Sequence, residues 1–145
     1  MKEATQLRWS DAWLLAAIYH CSKEKPAGLV EILAAADFIN HAVLNLEELQ
    51  SGLFRLEKAG LINQTGPQLC FQCTPAALAK IKLLLNKSKT ALHLWKELEN
   101  SLNVIRWIPG EPVPHPANMH SYPALTAAAY QEAVDNYLKR TRHAR

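Results

Sequence analysis

Asn45-Leu46-Glu47-Glu48-Leu49-Gln50-Ser51-Gly52-Leu53-Phe54-Arg55-Leu56-Glu57-Lys58-Ala59-Gly60-Leu61-Ile62 carries the start, the buried face and the stop of one helix. Asn45 is the N-cap residue type, and Glu48 stands three positions on, where its carboxylate can reach back to the cap's backbone N–H. Leu44 and Leu49 occupy the two positions of a hydrophobic staple. Leu49, Leu53 and Leu56 continue the apolar stripe at helical spacing. Gly60 supplies the left-handed residue that ends a helix, and Leu61-Ile62 can fold back on the last turn. The spacing predicts a helix over 46–59.

After Gly60 the period switches from helical to alternating. Residues 61–64 and 68–73 flank Thr65-Gly66-Pro67, the pattern of a short antiparallel hairpin with Leu69, Phe71 and Cys73 on one face. Thr74-Pro75 then starts a helix over 75–86, with Thr as cap, Pro in the first turn, and Leu78, Ile81 and Leu85 inward. Upstream, Ser10 as N-cap opens a helix over 10–21 with Leu14, Leu15, Ile18 and Cys21 on its apolar face. Lys23-Glu24-Lys25-Pro26 breaks it. A second helix is expected over 28–40, striped by Leu29, Ile32, Leu33, Ala36 and Ile39.

Downstream, Leu92, Trp95, Leu98 and Leu102 mark a further amphipathic segment. Asn86-Lys87-Ser88-Lys89 favours a break before it, although the 3–4 rhythm of 78, 81, 85, 88, 92 and 95 also suits one long helix. Residues 109–116 hold four prolines and read as an extended surface connector. A last helix over 124–140 shows Tyr130, Val134 and Tyr137 on one face. The organisation expected is a mainly α protein, with a domain over 1–86 and a helical extension over 87–145.

Helix, helix, helix, two short strands, helix, together with Phe54-Arg55-Leu56-Glu57-Lys58-Ala59-Gly60-Leu61-Ile62 and Thr74-Pro75-Ala76-Ala77, resembles the "RLEKAGLI … LTPxG" passage of MarR- and PadR-like bacterial regulators. The resemblance covers about 10–86 and implies a winged helix-turn-helix. The connection His41-Ala42-Val43-Leu44 is longer than the tight turn of the simplest helix-turn-helix, and residues 104–145 resemble no known pattern. In that family the third helix enters the DNA major groove and the wing touches the backbone or the minor groove. Carried over, the outward positions are Glu47, Gln50, Ser51, Arg55 and Lys58, and the wing tip is Gln64, Thr65, Gly66, Pro67 and Gln68. Gln50 and Arg55 are the bidentate base readers that the resemblance implies.

Charge works against that expectation. Glu47, Glu48 and Glu57 outnumber Arg55 and Lys58, and the wing holds no cation, whereas phosphate contacts come chiefly from Lys and Arg. The net charge of +3 lies wholly in residues 87–145, with eight basic and five acidic residues, against eight and eight in residues 1–86. Lys139, Arg140, Arg142 and Arg145 close the chain. Two readings therefore stand: a transcription-regulator-like protein on duplex DNA, or a winged helix whose third helix and wing contact another protein or the C-terminal extension. A homodimer through the C-terminal helices fits either, with the Trp95 stripe meeting a second copy or packing on its own domain.

Catalysis has no visible carrier. No phosphate loop, H-E-x-x-H or G-x-S-x-G occurs, so no cofactor is expected and the protein reads as a non-enzyme. Cys70 and Cys73 are one pair where zinc needs four ligands, and their spacing on a strand turns the thiols to opposite faces. His20, His41, His93, His115, His120 and His143 are scattered, so no metal site is expected. Trp9, Trp13, Trp95 and Trp107 read as packing residues. Three cysteines and no N-terminal apolar run suggest a reducing, cytoplasmic setting without a membrane span.

Overall fold

The computed structural model describes residues 6–65, 69–85, 91–102, 104 and 122–143. The proline connector expected at 109–116, with His115, His120 and the tip residues Gly66, Pro67 and Gln68, lies outside them, as does Arg145. Among the described residues, six helices and a two-stranded antiparallel sheet follow in the order α1 (Trp9–Cys21), α2 (Leu29–Asn40), α3 (Leu46–Lys58), β1 (Ile62–Gln64), β2 (Phe71–Cys73), α4 (Pro75–Leu85), α5 (Ala91–Ser101) and α6 (Ala127–His143). The described parts of α4 and α5 pack against one another, which one straight helix would not allow; the break expected at 86–89 lies outside the described residues.

α3 forms as its residues dictate. Asn45 Oδ1 accepts from the Glu48 backbone N–H at 2.7 Å, and Glu48 Oε1 accepts from the Asn45 N–H at 3.0 Å. At the other end Gly60 has φ 78°. The Leu61 N–H donates to the Leu56 carbonyl at 2.9 Å and the Gly60 N–H to the Glu57 carbonyl at 3.0 Å, the paired bonds that close a helix on a left-handed glycine. Ala59 is the cap, so the helix ends one residue before the expected 59.

α1 departs from its expected form in two ways. Its N-cap is Arg8, not Ser10, because the Asp11 carboxylate accepts the Arg8 backbone N–H at 2.8 Å. It also has no single apolar face: Trp13 to Ile18 are all buried, since α2, α3 and α5 surround it. A helix apolar all round is the kind that sits in the middle of a core. Trp13 stacks on Trp9 with ring centroids 6.4 Å apart, meets Trp95 of α5 at 6.3 Å, and donates its indole N–H to the Ala36 carbonyl of α2 at 2.8 Å.

β1 and β2 pair in the register Ile62↔Cys73, Asn63↔Gln72 and Gln64↔Phe71, which turns Ile62, Phe71 and Cys73 inward. Ala27, just past the polar break, adds a bridge to β2: its N–H donates to the Phe71 carbonyl and its carbonyl accepts from the Phe71 N–H, both at 2.8 Å. Thr74 caps α4, its Oγ1 accepting from the Ala77 N–H at 3.2 Å and donating to the Gly60 carbonyl at 2.6 Å. α4 buries Ala77 and Ile81; Ile81 lies inward as expected, whereas Leu78 is exposed and Leu85 half-buried. Among the described side chains of α5, Leu94 and Leu98 are buried, and that of the expected stripe residue Leu92 lies outside them. α6 starts at Ala127, later than the expected 124, because Thr126 caps it: its Oγ1 accepts from the Ala129 N–H.

α1 and α3 approach one another closely at Gly52. A Cβ there would lie 2.7 Å from Leu14 Cδ2 and 3.0 Å from Asp11 Oδ1. Gly52→Ala improves helix propensity yet crowds the buried Leu14 and Asp11 side chains of α1. It is expected to lower stability by about 1–3 kcal/mol in urea unfolding, as overpacking does in a filled core.

Candidate interaction surface on the third helix

Thirteen residues make up α3, and only Glu57 and Lys58 among them are exposed. One side of the helix faces α1. There Arg55 reaches 44 positions back in sequence to Asp11, Nε donating to Oδ2 at 2.6 Å and an Nη to Oδ1 at 2.9 Å. The Asp11 side chain is 0% exposed and that of Arg55 11%. A bidentate pair buried this deeply holds the guanidinium fork in one orientation. Arg8 lies in the same charged cluster; burial, then the nearby Arg55 charge, lower its pKa.

The other side of α3 faces the C-terminal segment. Gln50 Nε2 donates to the Leu125 carbonyl at 2.9 Å, and Gln50 Oε1 is buried without a hydrogen-bond partner. The Tyr122 hydroxyl donates to Glu57 at 2.6 Å, and its ring stands edge-on to Phe71 at 5.6 Å. Burial and the Glu57 carboxylate both push the Tyr122 hydroxyl up from its ordinary pKa. The Tyr130 hydroxyl donates to the Leu44 carbonyl ahead of α3 at 2.7 Å, and the Tyr137 hydroxyl donates to Asp37 on α2. Tyr122, Leu125, Ala133 and Tyr137 are buried by this docking. Glu48 belongs to the same seam: burial raises its pKa, opposed by the Asn45 N–H, and its charge helps raise that of Tyr130.

The residues expected to face DNA fall into different environments. Ser51 is buried, so its outward placement is a misreading of the helix phase; its hydroxyl has no partner among the hydrogen bonds found. Gln50 and Glu47 are half-buried, Gln50 beneath Leu125. Arg55 is committed to Asp11. Lys58 is exposed, with its ammonium 5.8 Å from the Phe54 ring centre. Gln64 is half-buried opposite Phe71, and Thr65 is exposed with its N–H donating to the Cys70 carbonyl. Only Lys58 and Thr65 of the six thus stand open on the surface.

Sequence reasoning missed Asp11, Tyr122 and Leu125. Their only signals were a carboxylate in the first turn of an apolar helix and two large side chains after the proline stretch, neither of which names a partner. Among the described residues no group of His, Cys, Asp and Glu could hold a metal. Burial pushes the Cys21 and Cys73 thiols up to about 12, far from a nucleophile's range. No described helix is long and apolar enough to cross a membrane. Compared with known protein families, curated proteins and solved structures, the chain matches none.

Arg55→Ala is expected to cost about 3–5 kcal/mol in denaturant unfolding, because it strands the Asp11 charge in the core. The double change Asp11→Leu with Arg55→Met is expected to recover most of that loss, as replacing a buried pair by apolar groups often does.

Proposed function

We propose that residues 7–85 form a winged helix, akin in element order to MarR- and PadR-like regulators, that works as a non-catalytic protein-interaction module in the cytoplasm. The observation that carries this reading is the occupation of α3: its sides are engaged by α1 and by the chain's own segment 122–137. A helix that reads bases must offer a free polar face to a groove and free cations to phosphates. Here the guanidinium at Arg55 is neutralised within the core, and Glu47, Glu48 and Glu57 leave the helix acidic.

The seam with residues 122–137 has the make-up of a protein–protein contact instead. Tyrosines provide flat apolar area, and their hydroxyls end on acceptors of the partner element. Apolar side chains at Phe38, Val43, Leu78, Leu83 and Leu138 are exposed elsewhere. The competing reading, duplex DNA bound through α3 and the hairpin, rests on Lys58, Thr65 and the basic end of the chain.

Fluorescence anisotropy of a mixed-sequence duplex at about 50 mM salt tests the choice. No change is expected up to about 100 μM protein, the weak end of ordinary non-specific duplex affinity. A salt-sensitive rise that Lys58→Ala diminishes would restore the DNA reading.

A further inference from the structure

We propose that the outward face of α4, together with the cleft between its first turn and the end of α1, docks an acidic amphipathic helix of another protein. This rests on reading the fold as an interaction module and names the surface and the partner chemistry of that module.

Composition makes α4 anomalous. Of its eleven residues only Lys80 and Lys82 are polar. A helix apolar all round belongs in an interior. Yet α4 packs chiefly on α5 and β2, and it buries only Ala77 and Ile81 of its own residues. On the opposite side Pro75, Ala76 and Ala79 are exposed, and Leu78 and Leu83 are 46% and 68% open to solvent. Ala76, Ala79 and Leu83 follow at i, i+3 and i+7, a low ridge against which a second helix can lie close.

The cleft adjoins this face. Tyr19 of α1, Lys23 just beyond it, Gln72 and Cys73 of β2, and Pro75 and Leu78 of α4 line a space of about 270 Å³. A cavity of about 150 Å³ already admits a benzene ring, so one large apolar side chain of a docked helix fits here. Such a hollow favours a protein over a lipid surface, which would span it unfilled. Leucine and alanine side chains in turn offer a nucleic-acid backbone no hydrogen-bond donors.

Charge sets the sign of the partner. No Asp or Glu occurs between Glu57 and Glu97, so α4 contributes cations only. Lys82 stands one turn beyond Leu78 on the same side of the helix. Lys23 and Lys25 are exposed past the end of α1, with Glu24 between them. Lys23 rests on the Tyr19 ring at 5.0 Å, and among the described residues neither it nor Lys82 forms an ion pair. Carboxylates flanking the apolar stripe of a partner helix would meet both ammonium groups. The same lysines disfavour a second copy, because laying α4 on α4 brings cation to cation.

The test displays on yeast a library of amphipathic helices and sorts it against the full chain. The apolar stripe varies among Ala, Leu and Phe, and the flanks among Asp, Glu, Lys and Gln. Enriched helices are expected to have acidic flanks and at least one Phe or Leu on the stripe. As a free peptide, the best of them is expected to shift the ¹⁵N amide resonances of Tyr19, Lys23, Gln72, Leu78 and Leu83. Lys23→Glu with Lys82→Glu is expected to weaken that peptide about tenfold and to turn the sort toward basic helices. An unchanged thermal midpoint checks that this variant folds; if it does not, Leu83→Glu is read for the loss of binding in its place. The proposal is overturned by no enrichment, by enrichment without acidic flanks, or by resonance shifts away from this face. Capture on vesicles of equal parts phosphatidylserine and phosphatidylcholine, abolished by Leu83→Glu, would assign the face to lipid and overturn it as well. A failed sort removes this surface alone, whereas duplex retention removes the module reading whatever the sort yields.

Discussion

The fully enclosed Asp11 carboxylate sets the terms for the rest of the molecule. An ion in a core costs several kcal/mol unless its oxygens are matched, and three donors match them here: the Arg8 backbone N–H and two guanidinium N–H groups of Arg55. The same side chain therefore starts α1 and fixes the rotation of α3. Gly52 permits the required distance, because a Cβ there would press on the Leu14 and Asp11 side chains. Once α1 and α3 are locked in this way, the phase of α3 is decided. Leu49, Leu53 and Leu56 enter the core, and Gln50 and Glu57 turn toward the C-terminal segment.

Local chemistry made α3 legible in the sequence. Asn45, Glu48 and Gly60 act within a few residues of themselves, so their bonds follow from spacing alone. The switch of period after Gly60 likewise placed the two strands, and Thr74 the start of α4. What the sequence hid depends on contacts between distant segments. Trp13 to Ile18 look like one stripe plus filler until three other helices surround them. Leu78 fits an inward position by period, yet Ala77 takes the core because the start of α4 is tied to Gly60 through Thr74. Arg55 reads as an open cation because nothing near it in sequence reveals a carboxylate 44 positions away. The candidate surface was half legible: α3 was identified, but not which of its sides would be free.

Tyrosines connect the C-terminal segment to the rest of the protein in a particular manner. Each rests its ring on the body and ends its hydroxyl on a carboxylate or carbonyl, so the docking is directional as well as apolar. Gln50 satisfies only its amide donor in that seam, and its carbonyl oxygen is left bare of partners. A buried polar atom of this sort subtracts from the stability of the contact. The seam is thus specific without being maximally tight.

Ala27 has a consequence for how the protein behaves in a crowd. A two-stranded ribbon presents two flanks of backbone N–H and C=O groups, each an invitation to foreign strands and thus to fibrous association. On the β2 flank, Phe71 has both of its outward groups taken by Ala27. A single residue after a helix break thereby guards the outer margin of the ribbon, where an intruding strand would otherwise begin to zip.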